Sequence, residues 1–370
     1  APAASPSERS VIALRTRLLK LTAACAAAIA ISGIGASGAG AVSKEFYGVI
    51  SINFPTSSGD FAAMGRGQVG TLRFLLNWST VEPVRGSRDW SDYDAMIENA
   101  ALNGVRTMPT VFGSPAFAAA TPEAPPGPAA EADFASFLAE AAARYGEGGS
   151  FWSRFVSKYP GAQPLPFKAW QVWNEVNSPN FWGGPVSARA YANLVKLVSS
   201  TVHGVDRTAD IVLSGLFPNP TYIAGGQPAK KFLTRFYKVK KIEKFFEAVS
   251  IHPYASTPKE LLRVMTDARE LLVKLKDKKA RLWITEMGWA TSGIDSQFTV
   301  DYGTQARYAR SSLKKLKKQR KKLKLDGVIW YSLRDNLSGL EWLSRSGLLE
   351  QSGIAKPAWA EFVRFTGGSP

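Results

Sequence analysis

Short apolar runs alternate with longer segments of helical period from about residue 45 to the end of the chain. Several of the short runs are apolar at every position, which is typical of strands that are covered on both faces of a sheet. Eight runs are predicted to be strands, at 46–54, 71–78, 106–113, 167–175, 210–217, 248–254, 280–289 and 327–335. Helical spacing of apolar residues predicts helices at 91–103, 131–145, 187–203, 258–276, 301–323 and 355–365.

Eight strand–helix units favour one α/β architecture, the (β/α)8 or TIM barrel, which typically needs about 250 residues. An open doubly wound sheet is the competing arrangement. However, no glycine-rich phosphate loop follows the first predicted strand, and eight units favour closure. The sequence contains no linker or repeat that would mark a second domain. We therefore predict that residues 42–370 form a single (β/α)8 domain.

The first forty residues have the organisation of a secretory signal. Four basic residues between positions 9 and 20 precede the apolar run 21–36, and Ala-Gly-Ala at 39–41 matches an A-x-A cleavage pattern. A membrane anchor is the alternative, but this short, glycine-containing run is a poor transmembrane span. We predict a signal peptide at 1–41 and a secreted mature chain without a transmembrane anchor.

The composition excludes several kinds of catalytic and metal-binding site in the predicted mature chain. The only cysteine, Cys25, lies in the predicted signal peptide, so disulfides, a thiolate nucleophile and a cysteine-ligated metal are excluded. His203 and His252 are the only histidines, which excludes a histidine-rich metal site but leaves an all-carboxylate site open. We predict no metal and no cofactor.

Polar side chains at the carboxyl ends of the predicted strands are the candidates for function, because active sites of (β/α)8 barrels lie there. Two strands end on glutamate, at Glu175 and Glu286, and a buried carboxylate is costly unless it is paired or put to use. Arg73 is a charge inside an apolar strand and is expected to point into the barrel. The remaining strand-end candidates are Asn77, Trp78, Asn174, His252, Tyr254, Trp330 and Tyr331.

The ordered set resembles the clan A glycoside hydrolases, which are retaining glycosidases on (β/α)8 barrels. In that clan an Asn–Glu pair ends the fourth strand and a glutamate ends the seventh, as Asn174–Glu175 and Glu286 do here. The resemblance covers nearly the whole predicted mature chain. Its motifs are "LRFLLNWSTVEPVRG" (72–86), "WNE" (173–175), "IHPY" (251–254), "ITE" (284–286) and "GLLEQSGIAKPAWAEF" (347–362).

The resemblance implies a hydrolase of O-glycosyl compounds, with Glu175 as the acid/base and Glu286 as the nucleophile. Retaining hydrolysis needs two carboxyl groups about 5–5.5 Å apart, one protonated and one ionised. Arg73 and Tyr254 would contact Glu286, and these two are also predicted substrate-binding residues. Asn174 would bind the sugar 2-hydroxyl. His252 is expected to hydrogen-bond near the acid/base, with a buried core ring as the alternative.

Aromatic residues near the predicted mouth are candidates for stacking against sugar rings. The predicted set is Trp78, Trp182, Trp289 and Trp330, and ordinary core packing is the alternative for each. The resemblance favours Trp330 as the substrate platform, and Asn77 is included among the substrate-binding residues. The segment "TVFGSP" (110–115) lacks the His–Gly pair of some cellulase-type members. The chain is therefore more similar to the β-xylosidase and exopolysaccharide-hydrolase branch.

Three other functions remain as alternatives: an inactive glycan-binding barrel, a metal-dependent barrel enzyme and a nucleic-acid binder. The last is suggested by a net charge of +16, but no recognition motif supports it and the basic residues are not interleaved with aromatic ones. Segment 314–324 holds eight basic residues in eleven. We expect either a solvated helix face or a patch that holds the enzyme on an anionic envelope polymer. We expect a monomer.

Overall fold

Eight parallel strands close into a barrel in the computed structural model, which describes residues 42–51, 56–293, 296–336 and 341–370. Each strand pairs with the next and the eighth pairs with the first. Within these ranges the strands are β1 (Tyr47–Ile50), β2 (Thr71–Asn77), β3 (Arg106–Phe112), β4 (Ala169–Val172), β5 (Asp210–Leu213), β6 (Ala248–Ile251), β7 (Arg281–Met287) and β8 (Leu325–Trp330). The predicted (β/α)8 barrel is confirmed, and the signal segment 1–41 lies outside the described residues.

Helices between the strands form the outer layer of the barrel. The described residues contain α1 (Ser58–Arg66), α2 (Trp78–Val81), α3 (Ser91–Leu102), α4 (Glu131–Tyr145), α5 (Ser150–Lys158), α6 (Pro179–Trp182), α7 (Ala188–Val205), α8 (Ala229–Phe236), α9 (Pro258–Lys274), α10 (Tyr302–Leu323), α11 (Glu341–Ser344) and α12 (Pro357–Thr366). All six predicted helices are confirmed within a few residues. Within the described part of the chain, no helix has both the length and the apolar character needed to cross a bilayer.

Residues at the helix ends fix where several of the helices begin and end. Thr257, Asp301 and Ser187 each accept a backbone N–H of the first turn of the following helix, which satisfies a donor that the helix itself leaves unpaired. At the end of α10, Lys324 has φ 53 and turns the chain directly into β8.

The interior of the barrel is built in two layers. An apolar layer closes the lower part, nearer the amino ends of the strands, and consists of Ile50, Met108, Ala169, Val212, Ala248, Trp283 and Ile329. Side chains alternate across a strand, so residues two positions further along point inward one layer higher. Those positions hold polar residues in four strands: Thr110, Gln171, Ser250 and Thr285. This buried polar layer lies directly beneath the mouth.

Candidate active site

Arg73 organises the centre of the mouth. Its side chain is fully buried, and a buried charge is tolerated only with good partners. Its Nε donates to Gln171 Oε1 (2.7 Å), Nη1 to Glu286 Oε1 (2.7 Å) and Nη2 to Asn174 Oδ1 (2.8 Å). Because the guanidinium only donates, it also fixes the orientation of the Asn174 amide, whose Nδ2 donors are left for the cavity. The prediction that Arg73 points inward is confirmed.

Glu286 is held on both of its oxygens. Oε1 accepts from Arg73, and Oε2 accepts from the Tyr254 hydroxyl at 2.9 Å. The β7–β8 register is irregular between Ile284 and Met287, at the position of Glu286; such irregularities re-aim side chains near active sites. Burial raises the pKa of Glu286, while Arg73 and Tyr254 oppose that rise by stabilising the ionised form.

Glu175 lies across the cavity, on the chain that leaves β4. Two non-glycine residues here have left-handed backbone, Trp173 at φ 65 and Glu175 at φ 39, a costly conformation that clusters at functional sites. Glu175 Oε1 is 2.7 Å from His252 Nδ1. Burial, followed by the charge of Glu286, raises the pKa of Glu175 well above its usual value.

The carboxyl groups of Glu175 and Glu286 are close enough for both to contact one bound substrate. One oxygen of Glu175, one oxygen of Glu286 and one ring nitrogen of His252 all lie within 4.8 Å of one another. That distance fits the narrow separation of retaining rather than inverting glycosidases. The same three groups could in principle ligate a cation. However, both oxygens of Glu286 already accept hydrogen bonds and the Arg73 guanidinium repels a cation, so the arrangement suits acid/base and nucleophilic chemistry better than a metal.

A cavity of about 1180 Å³ opens above the pair. Arg73, Asn174, Glu175, Tyr254 and Glu286 line it, so five of the predicted residues meet in one place. The loops that follow β4, β5 and β7 also contribute to the cavity wall. The aromatic lining consists of Phe74, Phe181, Phe217, Tyr222, Tyr254, Phe298 and Tyr331.

The predicted tryptophan platform is wrong in position. Trp330 and Trp289 have no exposed surface, and their indole N–H groups donate to the carbonyls of Ser346 (3.0 Å) and Ala255 (2.8 Å). The reason is alternation along β8: Ile329 belongs to the inner layer and Tyr331 lines the cavity, so Trp330 between them points outward. Trp182 is also buried, edge-on to Tyr191. Trp78 is fully buried too, and its indole N–H donates to Glu82 Oε2 at 2.9 Å.

Two further candidates lie behind the cavity wall rather than on it. Asn77 caps α2, where its Oδ1 accepts from Ser79 N (3.1 Å) and Ser79 Oγ (2.7 Å). Its carboxamide packs against Gly113, a residue with φ 77 at which a Cβ would collide with it. His252 is fully buried beneath Glu175. Both therefore act on other residues in this structure, and neither touches the cavity.

Several residues of the site were not predicted from the sequence. Gln171 was detectable as a polar residue inside the apolar segment "AWQV". Tyr331 was named as a strand-end candidate without a role, and it lines the cavity. Phe217 and Tyr222 come from the loop after β5, where Tyr222 is 73% exposed at the rim. Loop residues of this kind carry no periodic signal, so the sequence offered none for them.

Solved structures of glycoside hydrolases share this fold at low sequence identity. A family 39 glycoside hydrolase from Bacteroides cellulosilyticus WH2 matches with TM-score 0.66 and 19% identity, over 88% of this chain and 65% of that chain. A monomeric β-xylosidase from Caulobacter crescentus CB15 matches with TM-score 0.61 and 16% identity, over 88% and 68%. An exo-β-1,4-mannosidase from Opitutaceae bacterium strain TAV5 matches with TM-score 0.60 and 14% identity, over 87% and 59%.

These similarities establish the fold. The chain spans 65%, 68% and 59% of the lengths of these three structures. No family model matches the sequence, and no curated protein matches it either.

Proposed function

We propose that this chain is a retaining glycoside hydrolase that cleaves β-linked O-glycosidic bonds by double displacement. The observation that carries the proposal is the pair of buried carboxylates, Glu175 and Glu286, within 4.8 Å of each other in one cavity and in opposite surroundings. The similarity to glycoside hydrolase structures supports the same conclusion, as does the sequence resemblance to clan A.

In the first step Glu286 attacks the anomeric carbon, and the bond from that carbon to the leaving oxygen breaks. Arg73 and Tyr254 keep Glu286 ionised and aim it. Glu175, whose pKa is raised, gives its proton to the leaving oxygen, so no alkoxide is released. The products are a glycosyl ester on Glu286, an alcohol and an ionised Glu175.

In the second step water takes the place of the leaving alcohol. Ionised Glu175 removes a proton from the water as its oxygen bonds to the anomeric carbon, and the ester to Glu286 breaks. Both carboxyl groups return to their starting states. Asn174, whose Nδ2 faces the cavity, would donate to the sugar 2-hydroxyl, a contact that strengthens in the transition state.

The substrate class follows from the lining and from the neighbours. Seven phenylalanine and tyrosine residues line the wall, and such rings stack on the C–H faces of neutral sugars. The β-xylosidase and exo-β-1,4-mannosidase among the similar structures favour β-xylosides and β-mannosides as first substrates.

An inactive glycan-binding barrel is the alternative function. Two nearly buried carboxylates this close repel each other and cost folding free energy, which binding alone does not require. A screen of aryl β-glycosides and β-linked oligosaccharides separates the two functions. We expect turnover of at least one substrate, abolished by Glu286→Gln and retained by the control Glu270→Gln, which makes the same change at an exposed site on α9. Saturable glycan binding without turnover would favour the alternative.

We also propose that the enzyme is exported and held on an anionic envelope polysaccharide through α10. Residues 302–324 contain no acidic residue, and the lysines on one side of α10 are exposed: Lys314, Lys315, Lys317, Lys318, Lys321 and Lys322. The opposite side is buried through Ala309, Ser312, Leu313, Leu316 and Leu323. Tyr302, expected in that buried stripe, is 43% exposed instead. The lysine side bears no aromatic ring, which disfavours single-stranded nucleic acid as the ligand.

Replacing Lys317, Lys318, Lys321 and Lys322 with glutamine tests this surface. We expect lower retention on immobilised carboxymethyl-dextran at low salt, because each exposed lysine adds a screened attraction, while kcat on a small glycoside stays unchanged. A control with the same loss of charge replaces Lys158, Lys168, Lys231 and Lys259, which are exposed elsewhere. Equal retention of both variants would mean that the α10 lysines are only solvated surface.

A further inference from the structure

A chain of hydrogen bonds runs through the buried polar layer to Glu175. It begins at the backbone carbonyl of Leu213, which lies 2.8 Å from Ser250 Oγ. Ser250 Oγ is 3.1 Å from Thr285 Oγ1, and Thr285 Oγ1 is 3.0 Å from His252 Nε2. The other ring nitrogen, Nδ1, lies 2.7 Å from Glu175 Oε1.

The number of protons on each group fixes the direction of every bond in this chain. A carbonyl only accepts, so Ser250 must give its single hydroxyl proton to Leu213. The contact between Ser250 and Thr285 therefore needs the proton of Thr285. Once that proton is used, Thr285 has none left for His252, and the His252 Nε2 nitrogen must be the donor.

Gln171 closes the remaining positions of this network. Its two Nε2 protons go to Ser250 Oγ (2.8 Å) and Thr285 Oγ1 (3.1 Å). Its Oε1 accepts from Arg73 Nε and from Thr110 Oγ1 (2.8 Å). The hydroxyl groups of Ser250 and Thr285 thus each donate one hydrogen bond and accept two, which is their full capacity. Because every position is taken, reversing one bond would leave two buried oxygens facing each other without a proton.

We propose that Ser250 and Thr285 are positioning residues that hold His252 in its neutral Nε2–H tautomer, so that Nδ1 accepts the proton of a protonated Glu175. The acid/base role of Glu175 comes from the proposed function, whereas the tautomer follows from the hydrogen bonds alone. An Nδ1 lone pair accepts from a carboxylic acid and repels a carboxylate. The Nδ1 lone pair therefore keeps Glu175 protonated before the first step and favours the return of a proton to Glu175 in the second.

The surroundings of His252 agree with a neutral ring. The charged and titratable groups that face it are Glu175 from the β4 side, Glu286 from β7, Arg73 from β2 and Tyr254 from its own strand end. Burial, followed by the Arg73 charge, lowers the pKa of His252 well below its usual value. Gly215 packs so closely on the ring that a Cβ at that position would overlap Nε2, so the ring is seated in one orientation.

Selective ¹⁵N-histidine labelling and NMR test the tautomer directly, because the chain has only two histidines. We expect His252 to show a protonated Nε2 and an unprotonated Nδ1 at neutral pH. His203, whose Nε2 lies 2.9 Å from the Ala209 carbonyl, is an internal reference with the same expected tautomer. An Nδ1-protonated or doubly protonated His252 would overturn the proposal. This readout needs no substrate, so it is independent of whether hydrolysis is found.

Variants of Thr285 test whether its hydroxyl group fixes the tautomer of His252. Thr285→Val removes the acceptor of the Nε2 proton, so the Nδ1–H form should become populated and its hydrogen bond should stabilise ionised Glu175. The alkaline limb of kcat/KM should then move down by about one pH unit. Thr285→Ser keeps the hydroxyl and should restore both the tautomer and the limb.

Thr110→Val is the matched control, since it removes a buried threonine hydroxyl from the Arg73 branch of the same layer. It should leave the His252 tautomer unchanged. If Thr285→Val leaves the tautomer and the alkaline limb as in the wild type, the positioning role of Thr285 is wrong.

Discussion

Glu175 on the β4 side of the cavity and Glu286 on the β7 side have opposite hydrogen-bonding surroundings. On the β7 side, Glu286 accepts from the Arg73 cation and from the Tyr254 hydroxyl. On the β4 side, Glu175 contacts the buried imidazole of His252. Both carboxyl groups are nearly buried, with side-chain exposures of 9% for Glu286 and 12% for Glu175. Burial alone therefore does not distinguish them.

The difference between the two sides lies in hydrogen-bond polarity. Donors stabilise an ionised carboxylate, whereas a neutral ring with its lone pair toward the carboxyl group stabilises the acid. Burial raises the pKa of both groups, but Arg73 and Tyr254 counter this mainly at Glu286, and the charge of Glu286 adds to the rise at Glu175. These surroundings suit Glu286 to the proposed role of nucleophile and Glu175 to the proposed role of acid, the pattern by which paired carboxylates divide their roles.

The largest expected effect is on the β7 side. Glu286→Gln removes the group that forms the covalent intermediate, so kcat/KM should fall by roughly 10⁴–10⁶-fold on every substrate, activated or not. Steady-state kinetics on a series of aryl glycosides with graded leaving groups measures this. A loss that depended strongly on the leaving group would exchange the roles of the two sides.

A smaller and more selective effect is expected on the β4 side. Glu175→Gln should lower kcat/KM by about 10²–10⁴-fold on substrates with poor leaving groups, because these need protonation. Activated aryl glycosides should keep most of their kcat/KM, since their leaving groups depart without a proton.

The pH profile of Glu175→Gln gives an independent check. In the wild type we expect activity to fall as pH rises through the raised pKa of Glu175, because the proposed acid is then ionised. The amide cannot titrate, so this alkaline limb should disappear from kcat/KM for activated substrates. A limb that persists unchanged would assign the general acid to another group.

The fold was predictable from the sequence because its signals are local and repeated. Apolar strand runs recur eight times around the barrel with helical segments between them, and an error of a few residues at one end does not change the topology. The strand at 167–175 illustrates such an error, since β4 ends at Val172 and Glu175 follows on a loop with left-handed backbone.

Residues of the candidate active site could be predicted only where a polar residue lies within an apolar strand or at its end. Arg73, Asn174, Glu175, Tyr254 and Glu286 meet in the cavity as expected. Trp330 was misplaced because its inward or outward direction depends on a register that the motif does not specify. The bonds that join Ser250, Thr285 and Gln171 connect three strands, so no segment of sequence contains them.

The central claim is that Glu286 attacks the sugar while Glu175 protonates the leaving group from the opposite face. Proton NMR of the first anomer released from a β-linked substrate, recorded before mutarotation, tests it most directly. Two displacements at one carbon restore the starting configuration, so we predict the β-anomer first, with the same result when EDTA is present. An initial α-anomer would mean that water attacks directly, and it would contradict the roles assigned to both carboxyl groups.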